Sequence, residues 1–148
     1  LWFAVLNTAR FCEPHPRIIH LDKTTDLERK VRFIQTCDGM LHGRADGETF
    51  GLAVGEFALR NRPVITWTGA KTPGHDGQHI DILREKGIYY ETQGDLEPLL
   101  MGFQPLTGEF DVYSQEFGPA PVMERFRRVF LAGLPVAPVQ ELESLPTT

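Results

Sequence analysis

Cysteine is scarce in this chain, and the few cysteines present are far apart. Cys12 and Cys37 are the only two among 148 residues. Their separation matches neither a zinc-ligand pair nor the dense disulfide framework of a small secreted domain. We therefore expect a reducing, cytoplasmic setting and no metal held by cysteine.

Long apolar runs and a basic excess are also missing. No stretch approaches the ~20 apolar residues of a membrane-spanning helix, so no transmembrane segment is expected. The 15 Lys and Arg residues are outnumbered by 20 Asp and Glu residues, which gives a formal net charge of −5. Nucleic-acid-binding domains usually carry a basic excess, so nucleic acid is not expected as a partner. A small anionic ligand is compatible with this charge, because a helix N-terminus or a local patch can bind phosphate.

The rest of the composition is typical of a folded globular domain, with 41% hydrophobic and 24% charged residues. The length fits a single domain with one core. The opening run LWFAVL, residues 1–6, indicates a buried strand already under way and suggests a piece of a longer protein. We expect one domain over residues 1–133 and a loose, proline-containing tail over residues 134–148.

Signals for strands and helices alternate along the chain. Helices are expected after the capping residues Asp26 and Asp95, from Phe50, and over residues 79–86 and 122–131. Residues 103–120 show no clear period. This alternation predicts an α/β fold with a Rossmann-like, mainly parallel sheet flanked by helices. The short apolar runs that indicate strands are residues 1–6, 17–21, 40–42, 63–67 and 88–90.

The helix expected from Phe50 carries a regular apolar stripe. Phe50, Ala53, Val54, Phe57 and Ala58 recur at the spacing of one helical face. The polar, glycine-bearing loop before it, residues 43–48, follows a predicted strand. In parallel sheets, ligands bind at the carboxyl ends of the strands, so this loop is the first place to look for a site.

Two glutamates bracket this segment, with Glu48 expected at the mouth of the helix and Glu56 about two turns inside. Helical geometry separates them by roughly 10 Å along the axis, about the reach of a nucleotide sugar from hexose to ribose. Carboxylates accept hydrogen bonds from neighbouring hydroxyl pairs. The free amides of the first turn suit a diphosphate, and Gly51 would let the backbone come close to it. The spacing also fits a helix-start Glu48 and a solvated Glu56 with no ligand.

The run GETFGLAVGEFA, residues 47–58, followed by PVIT, residues 63–66, resembles the Glu-x7-Glu signature of the family 4 retaining glycosyltransferases. These enzymes have the GT-B fold of two Rossmann-like domains. The flanks are similar as well, in DGMLH, residues 38–42, and in HIDIL to GIYY, residues 79–90. The match covers roughly residues 3 to 100, and it implies the C-terminal, donor-binding half of such an enzyme.

The resemblance implies roles for individual residues. Glu48 would contact the hydroxyls of the donor hexose and act as the catalytic residue, and Glu56 would hold the ribose hydroxyls. Phe50, Gly51 and Leu52 would line the diphosphate and the sugar. The donor would be a nucleotide-diphospho-sugar, with no other cofactor and no metal, since the family needs none and the chain has no Asp-x-Asp motif. A missing N-terminal GT-B domain would bind the acceptor, so the fragment alone is expected to be inactive.

The chain departs from the family pattern in two respects. The family usually has an earlier strand and loop that carry an Arg and a Lys for the pyrophosphate, and this chain is expected to start after them. Gly43-Arg44 stands where many members have Pro-Ser. Arg44 is therefore a candidate for the missing phosphate charge, with an ordinary surface arginine as the equal alternative.

Histidines supply the remaining candidates. His79, after the glycine-rich loop, is expected to touch the donor. His42, at a strand end, either faces the site or is a satisfied core histidine. His75, Asp76, His79 and Asp81 look like metal ligands, but only His75 and His79 have helical i, i+4 spacing, so a metal site is not favoured.

Two other functions fit the same architecture. A nucleotide-sugar 2-epimerase would need several acid–base residues in the cleft, and no strong set is evident. A non-catalytic module that binds a nucleotide sugar would also suit a domain of this length.

Overall fold

The computed structural model of this protein describes residues 1–71 and 74–133, with the side chains of Ala70 and Lys71 left out. The proline-containing tail expected over residues 134–148 lies outside the described residues. Within the described part, strands and helices alternate as expected. The strands are β1 (Phe3–Val5), β2 (Ile18–His20), β3 (Met40–His42), β4 (Val64–Trp67) and β5 (Ile88–Tyr90). The helices are α1 (Leu27–Thr36), α2 (Leu52–Ala58), α3 (Gln78–Leu83), α4 (Gln93–Met101), α5 (Tyr113–Phe117) and α6 (Pro119–Phe130).

All strand pairs are parallel, as the alternation predicts, but they form two small sheets. β1 pairs with β2, and β3, β4 and β5 form a separate three-stranded sheet in that order. The protein is therefore a mixed α/β fold with small parallel sheets flanked by helices. The central strand β4 has Val64, Ile65 and Thr66 buried in succession, as expected of a strand covered on both faces.

The core lies between α2, β4, α3 and α5. Val54 and Ala58 of α2 pack with Val64, Leu83 and Tyr113, all with almost no exposure. Met40, Phe50 and Phe117 are partly buried against this cluster. It fixes the start of α2, and with it the loop that carries Glu48, against the sheet.

Several boundaries differ from the expectations. α2 begins at Leu52 rather than Phe50, because Gly51 adopts a left-handed conformation (φ 71°) that a helix cannot include. Ala53 is exposed, and Gly55 takes its place on the buried face. The cap of α4 is Thr92, with Asp95 completing a reciprocal capping box.

The remaining differences concern both ends of the described chain. The strand at residues 1–6 was expected to be buried, but Phe3 of β1 is exposed because the β1–β2 pair is separate from the larger sheet. Residues 103–120 contain the unexpected helix α5. α6 begins at Pro119, and its early prolines suit a first turn that needs no amide donors.

Candidate functional site

The loop after β3 places Glu48 beside the carboxyl edge of the three-stranded sheet. β3 ends at His42 and β4 at Trp67, and in the parallel register His42 lies opposite Thr66. Ligands bind at this edge in α/β folds. The predicted location of the site therefore coincides with a real sheet edge.

One arginine holds the carboxylate of Glu48. Arg44 Nη1 donates to Glu48 Oε1 at 2.9 Å, and the Glu48 side chain is one-quarter exposed. His42 Nε2 lies 3.8 Å from the same oxygen, too far for a hydrogen bond. Of the two interpretations of Arg44, the structure shows an exposed arginine whose charge is already directed at the candidate catalytic residue.

A buried chain of hydrogen bonds lies under Glu48. His79 Nδ1 is 3.1 Å from the main-chain oxygen of Glu48, and His79 Nε2 is 3.1 Å from Thr66 Oγ1. Thr66 Oγ1 is in turn 3.0 Å from His42 Nδ1. The chain joins β3, β4 and α3 beneath the loop that carries Glu48.

The donor and acceptor of each of these hydrogen bonds can be assigned by starting from the main-chain oxygen of Glu48. A carbonyl oxygen only accepts, so His79 Nδ1 donates to the main-chain oxygen of Glu48, and the tautomer with its proton on Nδ1 accepts at Nε2. The Thr66 hydroxyl therefore donates to His79 and accepts from His42 Nδ1. His42 Nε2 is left as a bare lone pair.

One ring nitrogen of His42 has a hydrogen-bond partner and the other has none. This lies between the two expectations, a histidine that faces the site and a core histidine with both nitrogens bonded. Within the described residues its buried Nε2 has no hydrogen-bond partner. Burial lowers the pKa of His42, helped by the nearby His79, while the charge of Glu48 opposes this shift. The ring is therefore neutral at neutral pH and directs its lone pair toward the Glu48 carboxylate.

His79 occupies a different position from the one expected. It has no exposed surface, and both of its ring nitrogens already have partners. In this structure the His79 side chain therefore cannot contact a bound donor directly. It supports the Glu48 loop from below.

Main-chain bonds tie the Glu48 loop to the loop after β4. The Glu48 amide donates to the Asp76 oxygen at 2.9 Å, and the Asp76 amide donates to the Asp46 oxygen at 3.1 Å. Gly47 and Asp76 form an isolated parallel bridge. The main chain of Asp76 therefore holds the Glu48 loop in place.

The segment from Phe50 to Leu52 is fixed mainly by packing. The Phe50 ring lies edge-on to Tyr113 and Phe117, with centroids 5.2 and 4.9 Å away. Gly51 has a φ of 71°, and a Cβ there would lie 3.1 Å from His79 Cβ, so the fold favours glycine here whether or not a ligand approaches. Leu52 is 75% exposed at the start of α2, where it is open to a ligand.

Glu56 lies on α2 and faces α1. Its Oε1 accepts from Lys30 Nζ at 2.6 Å, and each side chain is about one-third exposed. The two helices enclose a groove of about 290 Å³ that Glu56 lines; Glu48 does not line it. Its lining residues are Leu27, Lys30, Val31, Ile34, Glu56, Leu59 and Arg60.

The two glutamates therefore have separate partners. The prediction that both belong to one helix is wrong. Glu48 precedes the first residue of α2, Leu52, so the roughly 10 Å separation based on helical rise does not apply to it. Glu48 pairs within its own loop and Glu56 pairs with α1. The structure leaves their joint use by one ligand as a prediction.

Sequence patterns missed three residues of this region. Thr66 lies in an apolar strand, Lys30 on an expected helix, and Tyr113 in a segment without a period. Tyr113 donates to the Phe50 oxygen at 2.8 Å, and burial together with the charge of Glu48 raises its pKa to about 12. Only the polarity of Thr66 within β4 was a usable signal.

No set of three or more metal-ligating side chains comes together among residues 1–71 and 74–133. Within the same residues, no helix has the length and apolar character needed to cross a membrane. Comparisons with models of protein families, with curated proteins and with solved structures find no match to this chain.

Proposed function

We propose that this chain binds a nucleotide-diphospho-sugar as the donor half of a retaining glycosyltransferase of the GT-B type. The position of Glu48 carries the proposal. Its carboxylate stands at the carboxyl edge of a parallel sheet and is fixed by Arg44 at 2.9 Å. A carboxylate has about four acceptor sites, so hexose hydroxyls can bind to it while Arg44 stays in place.

Arg44 suits the leaving group in the same site. A guanidinium carries about five N–H donors, so one bonded to a carboxylate can also bond a phosphate oxygen. Its side chain is more than half exposed, which leaves it accessible to a ligand. Positive charge here would stabilise the diphosphate as it departs, without a metal ion.

Glu56 and its groove suit the nucleoside. The carboxylate is partly exposed and accepts from Lys30, and its remaining lone pairs can accept from the two ribose hydroxyls. Leu27 and Val31 give the groove an apolar wall. A mostly apolar wall with few polar groups is typical of small-ligand sites.

The proposed reaction keeps the configuration of the anomeric carbon. The bond from the anomeric carbon to the diphosphate breaks, an acceptor hydroxyl attacks from the same face, and its proton passes to the departing phosphate oxygen, while Glu48 holds the sugar in position. We assign only donor binding to this chain. Acceptor binding would belong to a second domain.

Calorimetry tests the proposal with UDP, GDP and ADP and with the glucose conjugate of each. We expect one diphosphate to bind, and Glu56→Gln to weaken both it and its conjugate about tenfold or more, because charge-assisted hydrogen bonds are lost. Glu48→Gln should weaken the conjugate alone.

Glu28→Gln is the matched control. Glu28 is exposed on α1 and pairs with Arg32, so its loss should leave every affinity unchanged. If none of the six compounds binds, or if the Glu48 and Glu56 variants match the control, the proposal is wrong. NMR of products from the full-length protein separates transfer from epimerisation, and binding without turnover would indicate a non-catalytic module.

A further inference from the structure

The buried Nε2 of His42 is the group in the site whose bonding is incomplete. The His42 side chain is 8% exposed, and Glu48 Oε1 lies 3.8 Å from its Nε2. With His42 Nδ1 donating to Thr66, Nε2 and the carboxylate are both acceptors. A buried polar atom without a partner costs roughly 1–3 kcal/mol, so this arrangement needs an explanation.

A single proton would complete the arrangement. Placed on Nε2, it creates an N–H donor facing the Glu48 carboxylate, and closing the gap to a normal hydrogen bond needs a movement of about 1 Å. Arg44 already bonds the same oxygen at 2.9 Å. The carboxylate then has one anchor when His42 is neutral and two when it is charged.

We propose that His42 is a positioning residue for Glu48, and that a proton taken up from solvent at Nε2 switches the carboxylate from its single anchor on Arg44 to a shared anchor on Arg44 and His42. The chain His42–Thr66–His79 holds the His42 ring so that only Nε2 can take up the proton. If the proposed function is correct, this state fixes the sugar end of the donor site and leaves the nucleoside end unchanged.

The charged and ionisable groups that face His42 act on its protonation in both directions. They are Glu48 and Arg44 from the following loop and His79 from α3. Tyr90 of β5 places its hydroxyl near Gly43, and burial raises the pKa of this tyrosine, so it stays neutral. Glu48 is thus the only anion among these groups; its charge favours the protonated ring, whereas burial, His79 and Arg44 disfavour it.

NMR on the unliganded chain tests the proposal without any donor. Nitrogen-15 spectra distinguish protonated from bare ring nitrogens. At neutral pH we expect His42 to carry its proton on Nδ1, and His79 Nδ1 to be protonated as the donor to the Glu48 carbonyl. On acidification, His42 Nε2 should gain a proton, and the carboxyl carbon of Glu48 should shift at the same midpoint.

Four variants test the mechanism behind this expected result. Glu48→Gln should move the His42 midpoint to lower pH, because the favourable charge is gone, while Glu28→Gln should leave it unchanged. Thr66→Val should release His42 to the Nε2–H form, and Thr66→Ser should restore the Nδ1–H form.

A wild-type His42 that carries its neutral proton on Nε2 would overturn the proposal. A His42 midpoint that does not move in Glu48→Gln would also overturn it. Position 48 is partly exposed and tolerates this change. Neither readout needs a ligand. Failure to bind nucleotide sugars would therefore remove the proposed function and leave this inference standing.

Discussion

Gly55 on α2 shows how one missing methyl group sets the packing of the core. A Cβ built on this glycine would lie 2.8 Å from the ring of Tyr113, which is 2% exposed. Phe50 and Phe117 pack against the same ring, so it has little room to move. The glycine therefore brings α5 close to α2.

Gly55→Ala has two opposing effects on the free energy of unfolding. Alanine improves helix propensity by about 1 kcal/mol, but overpacking a core costs typically about 1–3 kcal/mol. The clash lies against an aromatic ring held on several sides, so we expect a net loss of about 1–2 kcal/mol. Urea unfolding measures this difference.

Gly94→Ala is the matched control for that change. Gly94 lies in α4, and its Cβ would meet only Thr92 Oγ1 at 3.5 Å. With space available, alanine should stabilise by up to about 1 kcal/mol. If Gly55→Ala stabilises as Gly94→Ala does, α5 is not packed against α2 as described.

At the scale of elements, α5 makes one hydrogen bond to the site in addition to its ring contacts. Tyr113 donates to the Phe50 oxygen at 2.8 Å, directly before the left-handed turn at Gly51. Tyr113→Phe keeps the ring and removes this bond. We expect a loss of about 1 kcal/mol near neutral pH, measured by urea unfolding.

Alkaline pH should reverse that loss. The pKa of Tyr113 is about 12 in the folded chain and near 10 when unfolded, so its contribution is complete below about pH 10 and is lost toward pH 12. The phenylalanine variant lacks this dependence and should become relatively more stable over that range. A constant difference between the two proteins from about pH 8 to 11 would contradict the assignment.

Elements with local signals could be predicted from the sequence, and those built by distant contacts could not. Asp26 caps α1 through the amides of Glu28 and Arg29, a signal contained within four consecutive residues. α5 is too short to show a period, and its stability comes from packing on α2.

The site divides in the same way. The sheet edge and the loop of Glu48 follow from strand order, whereas the Lys30 partner of Glu56 lies 26 residues away in sequence. The chain from His42 to His79 passes through Thr66 on a third element. Side chains that meet only after β3, β4 and α3 are assembled leave no spacing pattern.

At the scale of the whole molecule, His42 makes stability depend on acid. Burial lowers its pKa below the usual value near 6.5, so the unfolded chain takes up a proton first as the pH falls. Its contribution is complete above about pH 6.5 and is lost as the pH falls toward the lower folded value. Wild type should therefore lose more stability between about pH 7.5 and 5 than His42→Gln does, by at most ~1.4 kcal/mol per pH unit.

Urea unfolding at both pH values measures this difference. Parallel losses in wild type and His42→Gln would show that the buried ring does not govern the acid response.

The main-chain bridge between Gly47 and Asp76 has a consequence for how this protein can change over time. The two loops at the sheet edge share reciprocal bonds, so a residue inserted in one shifts the register of the other and moves Glu48 with it. Lengthening either loop alone would disturb the site, and lineages that alter one should carry a compensating change in its partner. The lengths of the two loops would thus covary.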